Sequence, residues 1–122
     1  MRVRSKHTER GFTLIEMMVV VTIIGILSSI AIYLTLSLNE RGQITAIKSD
    51  LSAAYKASIA FYTDHPDQEI TPDTLEEYGY RGSRGIQLIV ENGFYETLSV
   101  AATHPNVAGA YRINRDGRII SP

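Results

Sequence analysis

Residues 9–27 read ERGFTLIEMMVVVTIIGIL. Two charges and a glycine open the stretch, an apolar run follows, and the one charged side chain near its start is Glu16, four residues after Phe12. From Met17 to Leu38 no side chain is formally charged, and a helix of about 22 residues rises about 33 Å, enough to cross the hydrocarbon core of a bilayer. A chain of 122 residues has too few other apolar side chains to surround a helix that is greasy on every side. The run therefore reads as a membrane span and not as a buried core helix. A carboxylate beside such a run costs roughly several kcal/mol unless it is neutralised or paired, which makes Glu16 a functional candidate.

The charge before the run is segregated. Residues 1–11 hold Arg2, Arg4, Lys6 and Arg10 against Glu9, while the whole chain has a net charge of -1. The positive-inside bias keeps this leader cytoplasmic and sends the C-terminal part outward. A secretory signal peptide would have a shorter apolar region ending in a small-residue cleavage site, whereas the small residues of GILSSIA lie inside this run. Gly11 offers a different cut, one that removes the basic leader and retains the apolar helix. The chain has no cysteine, which excludes disulfides and thiolate metal sites. No basic block follows the leader, so charge implies no nucleic-acid partner.

GFTLIEMMVVVTIIGIL resembles the class III signal of type IV prepilins and pseudopilins, in which a basic leader precedes glycine, phenylalanine, threonine, leucine, glutamate and a continuous apolar stretch. The resemblance implies that an inner-membrane prepilin peptidase cuts between Gly11 and Phe12 and methylates the new Phe12 amine. It also makes Glu16 the assembly glutamate. A buried carboxylate wants a cation, and cleavage creates one: Glu16 of one subunit pairing with the Phe12 ammonium of its neighbour neutralises both and fixes their stagger. The partners so implied are other copies of the chain, the inner membrane before assembly, the peptidase and methyltransferase, and the pilus assembly machinery. In one respect the chain departs from the family. Many type IV pilins carry a proline where this chain has Tyr33, although Gly25 is retained.

Beyond the membrane run, apolar residues recur at Ile44, Ile47, Leu51, Ala54, Tyr55, Ser58 or Ile59, and Tyr62, a spacing that builds one helical face. Lys48, Ser49, Ser52, Lys56 and Ala60 fall opposite. One helix from about Phe12 to about Thr63 is expected, roughly 78 Å long, with a weak point at Gly42 that invites a bend. Thr71 as N-cap and Pro72 at the first helical position predict a short helix over 72–77. Ile86, Leu88 and Val90 alternate on one face, Asn92–Gly93 is a hairpin signal, and YETLSVAAT, GAYRIN and IIS supply further strands, with Leu98, Val100, Tyr111 and Ile113 turned to the core. The expected fold is α+β: a long N-terminal helix, transmembrane in its first half and amphipathic in its second, on a small antiparallel sheet of three to four strands. The expected divisions are a removed leader at 1–11, a membrane and filament-core half-helix at 12–38, and an extracytoplasmic head at 39–122.

No catalytic constellation emerges. His65 and His104 each neighbour a proline in loop-like sequence without a nucleophile at a telling spacing, and read as surface histidines. Asp64, His65, Asp67 and Glu69 lack the order of acids and glycine of a calcium loop, so they read as solvated acids, and neither metal nor cofactor is expected. Tyr55 and Tyr62 share the apolar face and read as core. The chain is expected to be a structural, self-assembling pilus subunit and not an enzyme. A type II secretion pseudopilin shares the signal and helix. A signal-anchored extracytoplasmic binding module is the reading of another class, and a plain anchor has no reason to carry Gly11, Phe12 and Glu16 together.

Overall fold

The computed structural model describes residues 11–122. The basic leader expected at 1–11 lies outside these residues apart from Gly11. Helix α1 (Leu14–Asp64) is followed by α2 (Pro72–Glu77), β1 (Gln87–Asn92), a 3-10 turn (Tyr95–Thr97), β2 (Ser99–Thr103), β3 (Tyr111–Asn114) and β4 (Ile119–Ile120). The described residues fall into two compact units, 11–37 and Leu38–Pro122.

In the first unit every residue from Gly11 to Leu36 is exposed. The hydroxyls of Thr22, Ser29 and Thr35 donate to the carbonyls of Met18, Gly25 and Ala31 at 2.7–2.8 Å. These three hydroxyls thus find their partners within the helix, as suits a segment with no water around it. Residues 25–33 are helical throughout, so Tyr33 leaves the ladder intact beside Gly25.

In the second unit the helix runs through Gly42 without a break. The predicted face packs on the sheet: Ile47, Leu51, Ala54, Ser58 and Tyr62 are buried, and Ile44 and Tyr55 partly so. Ala57 and Phe61 widen the face beyond the expected set. Asp50 is buried among them, and its two oxygens accept from the Ser83 N–H and hydroxyl at 2.7 Å each. Two hydrogen bonds to the carboxylate offset its desolvation and fasten the α2–β1 loop to α1. Tyr80 lies nearby, its phenol pushed up to about 12 by burial and then by the charges of Asp50 and Glu76.

The sheet has the order β1-β2-β3-β4, all antiparallel. Val90 faces Val100, which faces Ile113, and Leu88 faces Ala102, which faces Tyr111, giving the inward rows. On the outer face Arg112 of β3 reaches over β2 to Glu91 of β1 at 2.9 Å, and Ser99 of β2 donates to the same carboxylate at 2.8 Å. These bonds hold the Glu91 carboxyl below the usual carboxylate range. Three strands of a cysteine-free sheet are tied by this one cluster.

Two turns differ in origin. Between β3 and β4, Gly117 has φ 73°, a conformation that favours glycine, and its N–H donates to Asn114 O at 2.9 Å. The hairpin signalled by Asn92–Gly93 joins β1 to β2, and its loop is longer than those two residues because it runs through the 3-10 turn Tyr95–Thr97. Gly93 is there for close approach: a Cβ would lie 2.5 Å from Ile70 O. Its carbonyl accepts from Ile70 N–H at 2.9 Å and from the Tyr62 hydroxyl. Burial, then the charge of Glu69, pushes Tyr62 up to about 12. Helix α2 begins as predicted, with Thr71 and Thr74 in a reciprocal capping box and Pro72 in the first turn.

Candidate functional site

Gly11 precedes α1, and among the described residues nothing beyond its chain neighbours lies within 4 Å of where a Cβ would stand. Phe12 is 80% exposed. The Thr13 carbonyl accepts the first helical bond, from Met17 N–H at 3.2 Å, which makes Thr13 the N-cap. Its hydroxyl accepts from Glu16 N–H at 3.2 Å, and its own N–H donates to Glu16 Oε2 at 3.4 Å. This is a capping box: threonine and glutamate three residues apart each satisfy the other's backbone donor. Its sequence signal is the spacing Thr13-Leu-Ile-Glu16, which the apolar run overshadows.

Glu16 turns its carboxylate back toward the start of the helix, onto the N–H of Thr13, the residue that follows Phe12. A carboxylate there also meets the positive end of the helix dipole. Downstream, the helix is long and apolar enough to cross a membrane, with none of the apolar window buried. Leu14, Ile15, Met18, Val21, Ile24 and Leu27 point in all directions around it and are all exposed. Such a surface is stable only against lipid or other apolar helices.

The other residues considered in the sequence go elsewhere. His65 stacks on Phe61 with centroids 5.0 Å apart, and Tyr78 donates to Asp64 at 2.9 Å, which raises the tyrosine's pKa. His104 accepts from Asn106 N–H at 3.1 Å. No group of three or more metal-ligating side chains occurs among the described residues. Tyr55 donates to Arg115 O at 3.0 Å, and Tyr62 meets Tyr95 edge to face.

A long helix with an exposed apolar first part, a capped glutamate at its start and a second part packed on a four-stranded antiparallel sheet defines a pilin-type α+β protein. Residues 6–32 match the family described as the prokaryotic N-terminal methylation motif. The chain is 41% identical over 87 residues to the type IV major pilin protein PilA of Myxococcus xanthus (strain DK1622), a match covering 66% of this chain and 40% of that protein. It is 33% identical over 111 residues to a fimbrial protein of Pseudomonas aeruginosa, covering 84% of this chain and 72% of the relative. It is also 34% identical over 71 residues to the type II secretion system core protein G of Pseudomonas aeruginosa, covering 58% and 50%. The chain belongs to the type IV pilin and pseudopilin family.

Proposed function

We propose that the chain is the structural subunit of a type IV pilus. It enters the inner membrane as a prepilin with its N-terminus cytoplasmic and the part from residue 39 outside. Prepilin peptidase cuts between Gly11 and Phe12, the Phe12 amine is methylated, and the assembly machinery polymerises the chain through its N-terminal helix into a surface filament. Its role is structural and not catalytic. The observation that carries this reading is the helix with apolar side chains exposed on every side, headed by a glutamate held at its first turn. Lipid covers that surface before assembly and neighbouring helices cover it afterwards. Glu16 then meets the Phe12 ammonium, and the pair neutralises two charges that would be costly to bury singly.

Similarity to the secretion core protein G supports a second reading, that the polymer is the pseudopilus of a type II secretion system. The longer coverage of the fimbrial protein favours the pilus. Glu16→Gln tests the proposal. It keeps the shape and removes the charge, so the variant is expected to insert and to lose its leader but not to assemble. Abundant normal filaments from cleaved Glu16→Gln subunits would remove Glu16 from its role.

A further inference from the structure

The unit Leu38–Pro122 segregates its charge. From Glu40 to Thr63 the exposed charged side chains are the bases Arg41, Lys48 and Lys56 and one acid, Glu40, which lies about 80° around the helix from the nearest of them, Lys48; the other acid, Asp50, is buried on Ser83. From Asp64 to Glu77 stand Asp64, Asp67, Glu69, Asp73, Glu76 and Glu77, all exposed, with no lysine or arginine among them. Helical residues turn by about 100° each, so the three bases fall within an arc of roughly 80° and extend over about 22 Å of helix. That arc faces away from the buried row of Ile47, Leu51 and Ser58. At its flank the Lys48 ammonium sits 6.0 Å from the centroid of the Tyr111 ring.

Neither patch is neutralised within the subunit. Among the described residues the ion pairs join Arg112 to Glu91 and Arg115 to Glu96 and Asp116, all in the sheet and its loops. We propose that the basic stripe of Arg41, Lys48 and Lys56 docks on the acidic segment 64–77 of a second copy of this chain. The inference rests on the reading that the chain polymerises. The two patches are different places on one unit, so their contact is heterologous, and each added subunit leaves one stripe and one acidic segment unused. That is the polarity an open-ended polymer needs. A polyanion or an anionic lipid surface fits less well, because the unit from Leu38 onward has eight Lys and Arg against eleven Asp and Glu, a net charge of -3. Opposite charge between copies also steers encounter and adds to the stagger that Glu16 and Phe12 set at the helix start.

The test uses the full chain in cells where it is the sole filament subunit. One variant reverses the stripe with Arg41→Glu and Lys56→Glu, a second reverses the segment with Asp67→Lys, Asp73→Lys, Glu76→Lys and Glu77→Lys, and a third combines all six. Lys48 is left in place for its contact with Tyr111. Each half-reversal is expected to lower the filament count about tenfold or more at normal levels of cleaved subunit, because like charges then meet at every interface. The combined variant is expected to recover most of the count. Half-reversals that assemble normally, or a combined variant no better than either half, would overturn the docking. Absence of filaments from the unaltered chain would instead count against the subunit reading. If a reversed chain fails to accumulate, Lys56→Cys with Glu77→Cys provides the answer in a chain that otherwise has no cysteine. A short bismaleimide should then yield a ladder of multimers from filaments, which Lys56→Cys with Arg118→Cys does not yield. No ladder from the first pair would refute the contact.

Discussion

Leu51→Ala probes how α1 meets the sheet. Leu51 is 0% exposed, in the middle of the row from Ile47 to Tyr62. Its truncation removes buried apolar atoms and leaves a cavity between a helix and a sheet, neither of which can move far to fill it, at a cost of about 2 to 5 kcal/mol. A unit of about 85 residues has a total stability of roughly 4 to 13 kcal/mol, so this one change removes a large share. At about 4 to 8 °C per kcal/mol for a domain of this size, the melting temperature should fall by at least about 8 °C. Lys56→Ala, on the exposed side of the same helix, should shift stability by no more than about 0.5 kcal/mol. The assay is thermal unfolding of the detergent-solubilised chain, followed by the near-ultraviolet signal of its tyrosines. Two variants melting within a degree or two of each other would show that the buried face has been wrongly assigned.

Other outcomes follow from the same packing. Gly93→Ala should cost about 2 to 4 kcal/mol in urea unfolding, since its Cβ would press on Ile70 and disturb the bonds that Tyr62 and Ile70 make to residue 93. Asp50→Ala should lower stability by about 1 to 3 kcal/mol, and hydrogen exchange should show the loop around Ser83 opening more than the sheet. Tyr62 and Tyr80 titrate near 12 when folded and near 10 when unfolded, so their contribution is intact below about pH 10 and is lost as pH rises toward 12. Alkaline unfolding should begin in that window, and Tyr80→Phe should blunt it. Glu91 is depressed in the folded state, so its contribution is present above its unfolded pKa and lost as pH falls through the folded one. Arg112→Ala should flatten that acid limb.

Much of this architecture is legible along the chain because two periodicities are strong. The apolar run has a length that only a membrane or a bundle of like helices can accommodate. The spacing from Ile44 to Tyr62 names the packed face, and alternation in QLIV and YRI gives the strand faces. Thr71 and Pro72 announce α2. What was missed depends on partners distant in sequence or on local signals overshadowed by stronger ones. Asp50 stands on the packed side of the helix as an acid without apparent reason until Ser83, far along the chain, arrives to receive it. Asn92–Gly93 is a turn signal by composition, yet the glycine serves the approach of Ile70, which no local pattern encodes. Thr13 and Glu16 satisfy the capping-box spacing in plain view. The same glutamate therefore has two partners to choose from, the Thr13 N–H at its own helix end and the ammonium that cleavage would create.

The claim that Gly11, Phe12 and Glu16 form a processing and assembly site is tested most directly by the intact mass of the chain in filaments sheared from the cell surface. A mass equal to residues 12–122 plus one methyl group, with fragmentation placing that methyl on the Phe12 amine, is the predicted result. A filament chain that retains Met1, or that begins at any residue other than Phe12, would contradict the account.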